Sequence, residues 1–210
     1  EAMVMAAVLA EGHTMIKNAA MEPEVVALCE YLNSVGAKIS GHGTPTISIK
    51  GVEKLSGGAC AIIPDRIDAG TFAVLGALCG KELTVTGIEP EHLDALWKYF
   101  DLMHVPYKLG ADFVTVSKAS SMPAQQVKTH EYPGLATDMQ PPMTLLLTQC
   151  QGLSLMHETV YEGRLFFVDQ LNKMGAKIIM ADPHRVFIDG PTMLYGQSIT
   201  SPDLRAGITY

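Results

Sequence analysis

One pattern of residues occurs three times in this chain of 210 residues. Each copy opens with an apolar run that ends in glycine, and these glycines, Gly12, Gly80 and Gly152, lie 68 and 72 residues apart. Self-similarity at a fixed period is the signature of a fold assembled from repeated supersecondary units. The repeat therefore constrains the fold more strongly than any single motif in the sequence.

The elements follow the same order in each copy. The apolar run predicts a helix, and after its glycine come a short β-type stretch, a segment of helical period and two strand-like pieces. In the first two copies the second helical segment opens with Glu-Pro-Glu, where proline suits the first turn and carboxylates favour the positive end of the helix dipole. Its apolar positions are Val25, Leu28, Leu32 and Val35 in the first copy and Leu93, Leu96, Phe100 and Met103 in the second.

This order predicts an α/β protein built from βαβαββ modules. A strand before the first helix would complete each module, and the first copy lacks that strand. The first helix of each copy is apolar nearly all round, which predicts burial on every side, whereas the second is amphipathic and can cover the outside. Residues 117–131 mix Ser, Pro, Gln and Lys and are typical of a linker. Residues 203–210 look like the opening helix of a further copy, so we expect the sequence to be truncated within a module at both ends.

Composition and charge narrow the classes of function. The formal net charge of -7 offers no basic surface for nucleic acid. The longest apolar runs, residues 3–10 and 72–79, are much shorter than the roughly 18 residues of a membrane-spanning helix. The four cysteines form no CxxC pair and the seven histidines no spaced cluster. We therefore expect no metal site, and reduced packing cysteines in a cytoplasmic protein.

Five stretches of the sequence carry a more specific signal, because they occur together in one order. They are Glu22-Pro-Glu24, IPDRIDAGTF at 63–72, YPGLATDMQ at 132–140, ETVYEGR at 158–164 and DLRAG at 203–207. In these motifs and in its repeated modules, the chain resembles the enolpyruvyl transferase family. Within that family it is similar to the enzymes that act on UDP-N-acetylglucosamine more than to those that act on shikimate 3-phosphate.

The resemblance implies the fold of that family, an inside-out α/β barrel of βαβαββ modules with three modules in each of two domains facing a cleft. Residues 1–64 would then be the last module of the first domain. Residues 65–210 would be the second domain, with two modules and the start of a third. A noncatalytic module of the same fold is an alternative, as is the shikimate 3-phosphate enzyme.

The resemblance also implies an activity. The similar enzymes transfer the enolpyruvyl group of phosphoenolpyruvate to the 3-hydroxyl of UDP-N-acetylglucosamine and release phosphate, without a metal or redox cofactor. The reaction belongs to peptidoglycan synthesis in the cytoplasm. Their reactive-cysteine loop has no counterpart in these 210 residues, so we expect the chain to be inactive by itself.

Asp138 is the candidate catalytic base. The reaction needs a group that takes the proton of the 3-hydroxyl, and the resemblance assigns that role to Asp138, within Thr-Asp-Met-Gln. Considered without the resemblance, Asp138 is a candidate N-cap for the helix that follows. Pro141 and Pro142 come shortly after it and stiffen the chain there.

Arg164 and Arg205 are the candidates for binding the anionic reactants, a role that the resemblance assigns to them. A planar guanidinium can grip a carboxylate or phosphate at two points, whereas the simpler interpretation of each residue is a surface arginine. Val160 falls where the family touches the nucleotide by backbone and apolar contact, or else is an ordinary strand-end valine. Gly163 precedes Arg164 at a position where the family usually has asparagine.

Three further residues match positions near the family's interdomain cleft. Glu22 and Glu24 match carboxylates there, but the helix-dipole interpretation explains them equally well. Arg66 lies with Asp65 and Asp68 at the family's crossover between domains, where an ion pair would influence closure over substrates. A surface pair is the simpler explanation for Arg66, and we predict no catalytic role for Glu22 or Glu24.

Overall fold

The computed structural model describes residues 1–200 and 204–207 of the chain. These residues divide into two compact units, the first formed by residues 1–64 with 131–133 and the second by the rest. Each unit has its own hydrophobic core. No helix within the described residues has the length and apolar character needed to cross a membrane.

The first unit is one copy of the repeat. Its elements are α1 Ala2–Val8, β1 His13–Lys17, α2 Pro23–Ser34, β2 Lys38–Ser40 and β3 Thr46–Lys50. The strands form an antiparallel sheet in the order β1-β3-β2. Ile47 and Ile49 alternate with more exposed residues along β3 and therefore point into one core, which they share with Val25 and Cys29 of α2.

The second unit begins with another copy. Its elements are α3 Arg66–Cys79, β4 Leu83–Thr86, a 3-10 turn Pro90–Leu93, α4 Asp94–Leu102, β5 Tyr107–Leu109 and β6 Phe113–Val116. The strands form an antiparallel sheet in the order β4-β6-β5. The apolar positions predicted for the second helix, among them Leu96 and Phe100, are buried in the core. Pro90 lies in the first turn, as the Glu-Pro-Glu pattern predicts.

The third copy contains every element of a βαβαββ module. It comprises β7 Gln126–Lys128, α5 Gln140–Leu147, β8 Gly152–His157, α6 Val168–Lys173, β9 Lys177–Asp182 and β10 Arg185–Gly190, and a short helix, α7 Leu204–Gly207, follows. Turns of 3-10 helix at Thr137–Met139 and Arg164–Phe167 lead into α5 and α6. The strand order is β7-β8-β10-β9, with β7 parallel to β8 and the other neighbours antiparallel. The predicted order of elements is thus confirmed in all three copies.

The linker predicted at residues 117–131 is wrong, because this stretch contains β7. Val127 is buried between the exposed side chains of Gln126 and Lys128, and the strand pairs with β8 along its whole length. Three residues are too few for an alternating pattern to stand out in a sequence rich in loop-forming residues. The pairing partner, which lies about 30 positions later in the chain, decides that these residues form a strand.

Burial of the apolar first helices differs among the three copies. Helix α5 buries seven of its eight side chains, as predicted. The prediction of burial on every side is wrong for α3, which exposes Phe72 and Leu75, and for α1, which exposes Met3 and Met5. An apolar helix buries only the faces that meet another element. Helix α5 lies against α3, α7, β8 and β10.

The start of α3 is held by a side-chain cap. Asp65 accepts hydrogen bonds from the backbone N–H groups of Ile67 and Asp68, at 2.8 and 3.1 Å, which satisfies two donors that have no partner within the helix. Gly70 lets α3 approach Met139, because a Cβ at that position would lie 2.8 Å from the Met139 sulfur. The cap and the close approach hold α3 against the 3-10 turn that contains Asp138.

Gly190 ends β10 at a point with no room for a side chain. A Cβ there would lie 2.5 Å from the carbonyl oxygen of Cys150 and 2.7 Å from that of Thr148. Because both atoms belong to the backbone, we expect Gly190→Ala to lower the free energy of unfolding by about 2 kcal/mol or more. A Cβ at Gly196 would have no atom within 4 Å, so Gly196→Ala should have the same midpoint of urea denaturation as the unsubstituted chain. Equal midpoints for the two variants would contradict this packing.

The four cysteines consist of two exposed thiols, Cys60 and Cys79, and two buried ones, Cys29 and Cys150. Burial raises the pKa of the Cys150 thiol to about 12 and also raises the pKa of Cys29. Since the thiolate is the reactive form, we expect two thiols per chain to react rapidly with an aromatic disulfide reagent at about pH 8, and all four after denaturation. Cys150→Ser should leave the rapid phase unchanged, whereas Cys60→Ser should remove one thiol from it. Rapid modification of Cys150 in the folded chain would contradict its burial.

Candidate active site

Three segments of the second unit bring one carboxylate and two arginines together. The 3-10 turn before α5 contains Asp138, the 3-10 turn before α6 begins with Arg164, and α7 contains Arg205. The two arginines lie 26 and 67 positions from Asp138 in the sequence. The fold therefore brings together the predicted base and both predicted anion-binding residues.

Each oxygen of the Asp138 carboxylate accepts a hydrogen bond from a different arginine. Nη2 of Arg164 donates to Oδ1 at 2.6 Å, and Nε of Arg205 donates to Oδ2 at 3.0 Å. Charge-assisted bonds of this kind are short and orient both partners. The N-cap interpretation of Asp138 is wrong, because Met139 occupies the N-cap position of α5 and no side chain caps that helix.

Arg164 has two further contacts besides Asp138. Its Nη1 donates to Oγ1 of Thr137 at 2.8 Å, and its Cζ lies 5.4 Å from the centroid of the Tyr161 ring, within cation–π range. The Arg164 side chain is only 14% exposed, so the surface-arginine interpretation is wrong for it. Arg205 and Asp138 are each 31% exposed, which leaves part of the carboxylate accessible to a ligand.

This cluster suits a ligand that has both a hydroxyl and an anionic group. A carboxylate can accept the proton of an alcohol, and guanidinium groups can bind a phosphate or a second carboxylate. The three side chains of Asp138, Arg164 and Arg205 neutralise one another only in part, since two positive groups share one negative group. Taken alone, these three side chains carry one net positive charge, although the formal net charge of the chain is -7.

A fourth charged residue, Glu158, follows β8 directly, and the sequence predicts no role for it. Its side chain is fully buried. Oε1 accepts hydrogen bonds from Thr129 Oγ1 at 3.0 Å, Val160 N at 2.8 Å and Tyr161 N at 3.1 Å, and Oε2 accepts one from Thr137 Oγ1 at 2.9 Å. A buried carboxylate is costly unless hydrogen bonds compensate it. In the sequence, Glu158 is marked only by its position in the motif ETVYEGR. No local pattern indicates that its side chain is buried.

Val160 joins the cluster through Glu158. Its backbone N–H is engaged by that carboxylate, so a backbone contact from Val160 to a nucleotide would have to come from its carbonyl oxygen. Gly163 has a φ of 75°, a left-handed conformation that glycine accepts without strain and that asparagine tolerates. The replacement of the family's usual asparagine thus preserves the turn into Arg164. Pro141 and Pro142 lie in the first turn of α5, where no hydrogen bond is lost.

The remaining predicted residues lie at helix starts. In the first unit, Glu22 occupies the N-cap position of α2, and its Oε2 is buried with no hydrogen-bond partner among the described residues. Glu24 lies in the first turn of α2, as the helix-dipole interpretation predicts. In the second unit, Arg66 begins α3 and is only 9% exposed, so the surface-pair interpretation is wrong for it.

Comparisons with known proteins agree on the family and on the fold. The family model described as EPSP synthase (3-phosphoshikimate 1-carboxyvinyltransferase) matches residues 1–210. The UDP-N-acetylglucosamine 1-carboxyvinyltransferases of Clostridium botulinum and Solibacter usitatus are 41% and 44% identical to the chain, over 98% of its length and 49% of their own. The crystal structure of the enolpyruvyl transferase NikO from Streptomyces tendae matches with a TM-score of 0.89 and 27% identity, over 99% of this chain and 50% of that one. The chain spans about half the length of the curated relatives it matches.

The charge of Asp138 should contribute to stability. We expect Asp138→Asn to lower the free energy of unfolding by about 1–2 kcal/mol, because two partly buried guanidinium groups then face each other without a counter-charge. Asp182→Asn is the matched control. Asp182 accepts two hydrogen bonds from Arg185, at 2.8 and 2.5 Å, but Arg185 is 53% exposed, and asparagine keeps the acceptor for the His184 N–H. Urea denaturation at neutral pH should separate the two variants, and an equal loss in both would count against a stabilising role of the Asp138 cluster.

Proposed function

The chain belongs to the EPSP synthase family and has the enolpyruvyl transferase fold, and we propose that the protein in which it occurs transfers the enolpyruvyl group of phosphoenolpyruvate to the 3-hydroxyl of UDP-N-acetylglucosamine. Phosphate is released, and the product is a precursor of peptidoglycan. Relatives with this activity in their names support the choice of acceptor, since they are 40–44% identical over nearly the whole chain. The observation that carries the proposal is the Asp138 carboxylate held between Arg164 and Arg205.

Asp138 is the proposed general base. Each of its oxygens accepts one arginine N–H and keeps a second lone pair, so an incoming hydroxyl can still donate to it. The proton of the 3-hydroxyl passes to this carboxylate while the alcohol oxygen bonds to C2 of the enolpyruvyl group, and an acid protonates the methylene carbon. Loss of phosphate and of a methyl proton from the tetrahedral adduct then restores the double bond.

Arg164 and Arg205 are the proposed sites for the anionic groups of phosphoenolpyruvate. A guanidinium has five N–H donors in a fixed plane, so an arginine that orients Asp138 can also donate to a ligand. Fixed positive charge beside the reacting carbon stabilises the negative charge of the adduct. Val160 is proposed to contact the nucleotide of the acceptor, whereas Glu22, Glu24 and Arg66 are assigned no chemical step.

The proposal extends to organisation and location. Residues 1–64 are assigned to the last module of one domain, and residues 65–210 to two modules and the start of a third in the other domain. The division of the described residues after Pro64 and the complete βαβαββ module in the third copy support this assignment. The four unpaired cysteines support a reducing, cytoplasmic location.

A second acceptor, shikimate 3-phosphate, is favoured by one specific observation. The family model that matches residues 1–210 is described by the enzyme that uses this acceptor. Both reactions share phosphoenolpyruvate and need a base for an alcohol, so the Asp138 cluster does not separate them. The assay must therefore offer both acceptors.

Release of phosphate from phosphoenolpyruvate tests this function. The complete gene product that contains this sequence should release phosphate when UDP-N-acetylglucosamine is present and not when shikimate 3-phosphate replaces it. Asp138→Ala should lower kcat by at least about 100-fold, because the base is lost. Asp182→Asn, which removes an exposed ion pair outside the cluster, should keep the original rate.

Three other outcomes would change the proposal. Phosphate release with shikimate 3-phosphate but not with UDP-N-acetylglucosamine would identify shikimate 3-phosphate as the acceptor. Unchanged release in Asp138→Ala would keep the function and remove Asp138 from the base role. No release with either acceptor would favour a noncatalytic module.

A further inference from the structure

The Glu158 carboxylate is unusual in its burial and in its partners. Among the described residues, 1–200 and 204–207, no charged side chain is more completely buried. The backbone N–H groups of Val160 and Tyr161 can only donate, and both meet Oε1. Hydroxyl groups of Thr129 and Thr137 complete the set. All four partners can donate to Glu158, so its carboxyl oxygens act here as acceptors, and such a group is costly to bury for packing alone.

The hydrogen bond from Thr137 connects this carboxylate to Arg164. Nη1 of Arg164 can only donate, so Thr137 Oγ1 must be the acceptor of that bond, which is 2.8 Å long. The single hydroxyl proton of Thr137 is then left for Oε2 of Glu158, at 2.9 Å. The two bonds therefore have one direction, from Arg164 through Thr137 to Glu158. The charge of Glu158 polarises the hydroxyl and makes it a better acceptor for Arg164.

A second path runs from Glu158 to Arg164 through Tyr161. The backbone N–H of Tyr161 donates to Oε1 of Glu158 at 3.1 Å, which fixes the turn from which the Tyr161 ring extends. That ring is the one beneath the Arg164 guanidinium, 5.4 Å from Cζ to the ring centroid. The hydroxyl contact and the ring contact of Arg164 thus both lead back to one buried carboxylate.

We infer that Glu158 is a positioning residue, which aims the Arg164 guanidinium at the anionic substrate without touching that substrate. Because Glu158 is completely buried, it cannot contact the substrate directly. It is connected to Arg164 only through Thr137 and through Tyr161. Because Arg164 also donates to Asp138 at 2.6 Å, its placement affects both the anion site and the proposed base. This inference rests on the proposed function, since it names what orients one of the arginines of that site.

Substitutions at Thr137 and Glu158 in the complete gene product test the inference. Glu158→Gln keeps the shape but removes the charge, and Thr137→Val removes the hydroxyl at nearly constant volume. We expect each to raise the KM for phosphoenolpyruvate about tenfold, because a charge-assisted bond that aims Arg164 is lost. Thr137→Val should change the KM for UDP-N-acetylglucosamine less than about twofold. Thr137→Ser keeps the hydroxyl and is the matched control, with both KM values near the original.

The double variant separates a positioning role from a general loss of stability. Since Thr137 and Glu158 act on one path, Glu158→Gln combined with Thr137→Val should be little worse than Glu158→Gln alone. Fully multiplicative effects, or equal losses in Thr137→Ser and Thr137→Val, would overturn the inference. Thr137→Val leaves the other three bonds to Glu158 in place, so it tests the path even if Glu158→Gln fails to fold.

A nuclear magnetic resonance measurement tests the positioning role without turnover. Rotation about the Cζ–Nη bonds of Arg164 should be slow in the original protein and in Thr137→Ser, and faster in Thr137→Val and Glu158→Gln. If these changes appear but the original protein transfers no enolpyruvyl group, the proposed function fails while Glu158 still positions Arg164. If rotation is the same in all four proteins, the positioning role is wrong whatever the activity.

Discussion

Burial of α5 is the constraint on which the second unit depends. Seven of its eight side chains are buried, and it lies against α3, α7, β8 and β10. Removal of this apolar surface from water helps to offset the conformational entropy lost by the elements around it. Three parts of the candidate site are attached to this helix or to an element that touches it. Asp138 lies in the turn before α5, Arg205 lies on α7, and Glu158 directly follows β8.

Four ionised side chains lie beside this apolar core, and they compensate one another. Asp138 is paired with Arg164 and Arg205, and Glu158 is connected to Arg164 through the hydroxyl of Thr137. Two carboxylates and two guanidinium groups therefore balance, which lowers the cost of removing them from water. Their accessibility differs with their proposed roles. The partly exposed Asp138 and Arg205 can meet a ligand, whereas the buried Glu158 can act only on its neighbours.

The sequence predicts strongly periodic elements better than short or one-sided ones. Leu96 and Phe100 recur at helical spacing, and both are buried where the pattern places them. Strand β7 is three residues long, so its sequence has no clear period, and its pairing with β8 defines it. Exposure of Met3 and Met5 on α1 was likewise not predictable, because composition shows how apolar a helix is but not which neighbours it meets. Arg66, interpreted most simply as a surface residue, is buried for the same reason.

The sequence by itself determined the repeat, the order of helices and strands, and the family, whose motifs include Asp138, Arg164 and Arg205. These features are local, since hydrophobic period and turn residues act over a few positions of the chain. Only the tertiary structure decided that these three side chains form one cluster, because partners 26 and 67 positions apart meet only through the packing of helices on sheets. It also decided that Glu158 is buried behind them. No local pattern distinguishes a carboxylate surrounded by donors from one in water, because its donors come from three separate segments of the chain.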